Sequence, residues 1–121
     1  MLEPTTSANF WDTLDSLVAS HPLVIDRPIG SPHPHYPEIL YPLDYGYLEG
    51  TTSGDGGGID FWLGVSGDHD LSAVILTVDL LKSDTEIKII LGCNEEELQT
   101  ILVFHNQGSW MRATLVRRTA E

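Results

Sequence analysis

Residues 71–91 read LSAVILTVDLLKSDTEIKIIL. Leu71 to Leu81 is a long run rich in β-branched and aliphatic residues, as a strand requires. Ser83 to Thr85 interrupts it with small polar residues, and Glu86 to Leu91 resumes it, so the stretch predicts an antiparallel hairpin. Working outward, Leu23-Val24-Ile25, Tyr41 to Leu48, Phe61-Trp62-Leu63 and Trp110 to Arg117 are further short strands. Two helices flank them. The first is capped by Ser7 or Asn9 and runs to about Ser20, with Phe10, Leu14, Leu17 and Val18 on one face. His21-Pro22 ends it. The second opens at Asn94, with Glu97 completing a capping box, and Gly108 stops it after Asn106. Glu95, Glu96 and Glu97 then sit where the helix dipole favours acids, which accounts for that cluster without a metal. Six short strands with two peripheral helices predict an α+β domain built on a small β-barrel, closed or partly open.

The connections are equally informative. Pro28, Pro32, Pro34, Pro37 and Pro42 crowd one segment, which can be neither helix nor central strand and must be extended connection or sheet edge. Thr51 to Gly58 holds Gly54, Gly56, Gly57 and Gly58 and is a loop. Gly67 to Asp70 is a turn. Residues 1–8 are polar and are expected to be disordered.

The chain has 121 residues, 41% of them hydrophobic, which fits one domain spanning 1–121 with a single core. No apolar run approaches the roughly 18 residues of a membrane span. The start, Met1-Leu2-Glu3-Pro4, shows no basic region leading into an apolar segment, so no signal peptide is expected. Cys93 is the lone cysteine, which leaves no internal disulfide or cysteine-built zinc site and makes a reducing cytoplasm the expected location. Eighteen acids against six bases give a net charge of -12, which argues against nucleic acid and anionic membranes as partners. Such a balance serves solubility, and it also suits carboxylates that converge on a cation.

The segment Tyr41-Pro-Leu-Asp-Tyr-Gly46 is followed by the glycine-rich loop with Asp55 and Asp60. It is similar to the signature region of the soluble family I inorganic pyrophosphatases, which carries Tyr-Pro-x-x-Tyr-Gly and then Asp-Gly-Asp-Pro-x-Asp. Val24-Ile-Asp-Arg-Pro28 resembles that family's Val-Val-Glu-Ile-Pro opening, with Asp26 for the Glu and His35 for a following Lys. Asp84-Thr-Glu-Ile-Lys88 resembles its acidic turn and Asp-x-Lys. Phe104-His-Asn-Gln-Gly-Ser-Trp110 resembles its helix end, with His105 and Asn106 at the Tyr-Lys pair. The matches run from about residue 23 to 116.

The resemblance implies an OB-like barrel of pyrophosphatase type and hydrolysis of inorganic pyrophosphate to orthophosphate. It implies Mg²⁺ on Asp55, Asp60 and Asp84, with Glu86 and Asp26 in support. Lys88, Tyr41, His35 and His105 would bind the substrate, and Tyr45, Asp55 and Lys88 would serve catalysis. Family members assemble as homo-oligomers, so one is expected here. The chemistry suits these residue types. Attack on a phosphorus shielded by anionic oxygens needs positioning and charge neutralisation, and Mg²⁺ takes oxygen ligands from a few carboxylates. Two departures predict slower or altered activity. Gly57 replaces the acid that takes the water's proton in the family, and a hairpin with its phosphate-binding Arg is missing, leaving Lys88 with Arg27, Lys82 or Arg112. A different phosphoanhydride as substrate, or a non-catalytic binding or assembly module, are the alternatives. His33-Pro34-His35 reads as loop, His69 as solvated turn, and Cys93 as a small buried hydrophobe.

Overall fold

A computed structural model of the chain describes residues 7–118. Helix α1 spans Ser7–Ala19. Strands follow at Leu23–Arg27 (β1), Asp44–Leu48 (β2), Ile59–Leu63 (β3), Leu71–Asp79 (β4) and Asp84–Leu91 (β5). Helix α2 covers Glu95–His105, and β6 covers Met111–Arg117. The fold is α+β, as the sequence predicts. Disorder over residues 1–8 falls, for residues 1–6, outside the described residues. Ser7 to Asn9 stand inside the first turn of α1 rather than ahead of it.

The six strands form one mixed sheet in the order β1-β2-β3-β5-β4-β6. All neighbours are antiparallel except β3 and β5, which run parallel. The sheet is open: β1 and β6 are its two edges and do not pair, so the expected barrel is not closed. The physical reason lies in the helices. Each covers one face, so the sheet buries its apolar side chains without curling onto itself. On one face, Trp11 of α1 packs with Leu48, Phe61, Val74, Ile89 and Leu91. On the other, Leu98 and Ile101 of α2 pack on Trp62, Ala73, Ile75 and Ile90.

The turn of the β4–β5 hairpin lies two residues earlier than predicted. Asp79 pairs with Asp84, so the loop is 80–83 and Asp84 already belongs to β5. Ser83 adopts φ 55°, the left-handed conformation that closes the turn. The Asp79 carboxylate accepts from the Leu81 and Lys82 backbone N–H groups at 2.9 and 3.1 Å and fixes it. Asn94 caps α2 as expected, with Glu97 N–H donating to its side chain at 2.8 Å and the Glu97 carboxylate accepting from Asn94 N–H at 2.9 Å. The far end of α2 differs from expectation. Asn106, not Gly108, is the C-cap, its amide donating to the Leu102 carbonyl at 2.8 Å. Gly108 serves a different need: a Cβ there would meet the Trp110 ring at 2.6 Å.

The proline-rich segment after β1 arches back on itself. Gly30 N–H donates to the Tyr41 carbonyl at 2.8 Å, Tyr41 N–H to Ser31 at 2.9 Å, and His33 N–H to Ile39 at 2.8 Å. Pro32 and Leu40 form an isolated bridge. A short irregular hairpin thus stands where the sequence suggested none.

Candidate active site

Helix α2 covers only part of its face of the sheet. Along β5, side chains alternate, so Asp84, Glu86, Lys88 and Ile90 share that face. Ile90 lies beneath α2 in the core, whereas Asp84, Glu86 and Lys88 run out past it. Glu86 and Lys88 of this uncovered end line the floor of a cleft of about 520 Å³. The arch carrying His33 to Ile39 forms one wall, and the α2–β6 turn with Trp110 and Met111 another. The glycine loop brings Asp55 to a third side.

At the floor, Lys88 is buried, with 6% exposed, and its charge is matched. Its Nζ lies 3.0 Å from Asp60 Oδ2 and 3.5 Å from Glu86 Oε1, and donates to the Tyr45 hydroxyl at 2.9 Å. The Tyr45 hydroxyl donates in turn to Asp60 Oδ2 at 2.8 Å. Burial and then the Asp60 charge raise the Tyr45 phenol well above its ordinary range, so it stays a neutral donor. Asp60 is therefore engaged by Lys88 and Tyr45.

Beside this network, carboxylate oxygens of Asp55, Asp84 and Glu86 lie within 4.8 Å of one another. Lys82 offsets part of their repulsion from 3.7 Å (Asp84) and 3.6 Å (Glu86), but it is mostly exposed. Asp84 Oδ1 is buried and has no hydrogen-bond partner among the described residues. A carboxylate with one buried, orphaned oxygen, grouped with two further carboxylates, is a costly arrangement for a protein alone. A hard divalent cation with oxygen ligands would satisfy it. The loop geometry suits the same end. The Ser53 hydroxyl and the Gly57 N–H both donate to Asp55 Oδ1, holding its carboxyl below the usual carboxylate range. Gly56, at φ 87°, makes that turn possible.

The other residues singled out from sequence fall around this centre. Asp26 is the residue left over by a bulge between Ile25 and Arg27; it is exposed on the cleft rim and outside the three-carboxylate group. Tyr41 is buried, and its hydroxyl accepts from Arg27 Nη1 at 2.8 Å. Arg27 thereby brings a guanidinium to a cleft whose expected Arg is missing from the sequence pattern. His35 is exposed on the arch, its N–H donating to His33 Nδ1 at 3.1 Å. His105 lies at the inner end. The Trp62 indole N–H donates to its Nε2 at 3.0 Å, and burial, then Lys88, pushes its pKa down to about 3. The ring is thus neutral and contributes no cation to a phosphate.

Asp79, buried at the end of β4, also lines the cleft, and so do Tyr36 and Trp110. Sequence reasoning did not single these out. Asp79 stands opposite Asp84 only because the hairpin turn lies earlier than the sequence suggests. Among the lining residues five carboxylates face three cationic side chains, so an anionic ligand would require a metal to enter with it.

Compared with protein-family models, curated proteins and solved structures, the chain matches none.

Proposed function

We propose that the chain hydrolyses inorganic pyrophosphate to orthophosphate, with Mg²⁺ held by Asp55, Asp84 and Glu86. The observation that carries this is the meeting of three carboxylates, one with an orphaned buried oxygen, beside the buried Lys88. Mg²⁺ in such a site supplies charge neutralisation for phosphate oxygens and a water of lowered pKa. The chain's own residues do the rest. Lys88 offers an ammonium to a phosphate oxygen from a fixed position. Asp60 and Tyr45 fix it there, since both bond to it and to each other. Arg27 and Lys82 flank the cleft and add positive charge for an anion. Asp55 remains ionised over the working pH range and is suited to hold a cation. Gly57 supplies no side chain to take the water's proton, so turnover is expected to be slower by about the 10²–10⁴-fold that a general base contributes.

The resemblance extends the proposal to a partly open, OB-like form of pyrophosphatase type and to a cytoplasmic homo-oligomer. The β1-β2-β3 antiparallel meander supports the first. Exposed Leu76, Val78 and Ile87 on the sheet face beside α1 support self-association. The alternative of another phosphoanhydride is favoured by the size of the cleft, which is ample for a larger ligand.

The test is phosphate release from pyrophosphate by purified protein, with and without Mg²⁺, alongside Asp84→Asn. Mg²⁺-dependent release that the substitution abolishes is the expected result. No release above that control, from folded protein, would overturn the assignment and leave a binding or assembly module.

A further inference from the structure

The cleft is divided in a way that inorganic pyrophosphate does not need. Every carboxylate and ammonium that lines it belongs to the floor and the glycine-loop side, together with Arg27 and Asp26 on β1. The remaining lining side chains, from the arch and the α2–β6 turn, carry no formal charge apart from whatever their imidazoles take up; Glu38 acts on His33 from the arch and Arg112 donates to the Gly108 and Met111 carbonyls, but neither lines the cleft. Tyr36 and Trp110 meet there with ring centroids 5.8 Å apart and planes 35° apart. His33 lies 5.3 Å from the Tyr36 ring and stacks on Tyr41 at an interplanar angle of 6°. Burial, followed by the Arg27 charge, lowers the His33 pKa, which favours a neutral flat ring.

Tyr36, unlike the buried Tyr41, is displayed rather than packed away. Tyr36 is 37% exposed even though it touches Trp110. The arch that presents it is held by backbone hydrogen bonds at both ends and stiffened by Pro32, Pro34 and Pro37. Opposite, Gly108 leaves the space that the Trp110 ring occupies. Gln107 stands at the edge of the same wall; its Nε2 donates to the Phe104 carbonyl at 3.1 Å, which turns the amide oxygen to the other side as an acceptor. A rigid, exposed aromatic surface with an amide beside it is how proteins hold a nucleobase by stacking.

Resting on the phosphoanhydride reading above, we propose that the substrate class is a nucleoside diphosphate, its anhydride over the Lys88–Glu86 floor and its base stacked on the Tyr36–Trp110 wall. Hydrolysis needs water alone as co-reactant. A new P–O bond forms to the water oxygen, and the bridging P–O bond breaks with its electron pair on the departing nucleoside monophosphate. One water proton stays on the orthophosphate and the other passes to solvent.

Calorimetric titration in Mg²⁺ with two non-hydrolysable probes tests this. Methylenebisphosphonate has the anhydride analogue alone; α,β-methylene-ADP adds the nucleoside. The nucleoside is expected to tighten binding roughly ten- to a hundredfold, the range of one base on an aromatic surface. Tyr36→Ala, at an exposed position, and Trp110→Leu, which keeps apolar bulk, should each erase most of that gain and leave methylenebisphosphonate binding unchanged. Equal affinity for the two probes, or a gain that survives both substitutions, would overturn the nucleotide assignment while leaving the phosphoanhydride reading intact. Binding of neither probe would overturn both.

Discussion

Replacing Asp84 by Asn should make the metal-free protein more stable, the reverse of what removing a charged side chain with a salt-bridge partner normally does. The Asp84 and Glu86 side chains are 23% and 10% exposed, and their oxygens lie within 4.8 Å of each other. Two like charges at that separation repel by about 3–4 kcal/mol at an effective dielectric of about 20. Lys82 pairs with both carboxylates, but it is 59% exposed and each exposed ion pair is worth about 0–1 kcal/mol, so it offsets only part of this. Neutralising Asp84 also gives its orphaned position a side-chain amide that can donate to Asp55 or Glu86. The net expectation is a gain of about 1 kcal/mol, a rise in Tm of about 4 °C for a domain of this size. Mg²⁺ should then separate the two proteins again. At a hundred times its dissociation constant it should stabilise the wild type by about 2.7 kcal/mol and Asp84→Asn hardly at all. Thermal unfolding of both proteins, with and without Mg²⁺, reads all four values. A fall in Tm for the metal-free variant would refute the reasoning, because it would mean that Asp84 holds the hairpin together rather than straining it.

Further outcomes follow from the buried groups around the site. His105 is neutral in the folded protein because its pKa is lowered to about 3, while the unfolded chain takes up a proton near the ordinary 6.5. The stability it contributes is therefore complete above about pH 6.5 and is lost as pH falls towards 3, at about 1.4 kcal/mol per pH unit. His105→Leu should flatten denaturant-derived stability between pH 6.5 and 5 by about 1.5–2 kcal/mol, and an unchanged slope would contradict this. Tyr45→Phe removes the hydroxyl that both Lys88 and Asp60 use and should cost about 1–2 kcal/mol at unchanged m-value. A loss below about 0.3 kcal/mol would show that the ion pair does without it.

Local chemistry made most of the fold legible. Runs rich in β-branched and aliphatic residues such as Leu71 to Leu81 gave the strands, and Asn94 with Glu97 gave the start of α2, because each signal lies within a few residues. What the sequence hid was tertiary. The parallel pairing of β3 with β5 and the failure of β1 to meet β6 depend on which faces the helices cover, and no local pattern encodes that. The end of α2 misled for a related reason. Gly108 looks like a helix stop, but its role is to leave room for the Trp110 ring.

The site divides along the same line. The spacing of Asp84, Glu86 and Lys88 along one strand puts them on one face, so their grouping is implicit in the sequence. That Asp55 joins Asp84 and Glu86 while Asp60 is taken up by Lys88 and Tyr45 depends on the course of the glycine loop. A list of acids does not say which will be neutralised by a buried lysine. Nor does it place Tyr36 beside Trp110, residues joined only by the arch of a proline-rich segment over the sheet.

Crystals soaked in Mn²⁺, a divalent ion that prefers the same oxygen ligands and scatters anomalously, test most directly whether the three carboxylates hold a metal. The expected result is an anomalous peak bounded by Asp55, Asp84 and Glu86, absent from Asp84→Asn crystals treated alike. A map with no peak there, or with peaks only at other surface acids such as Asp68, would contradict the metal site and the hydrolase built on it.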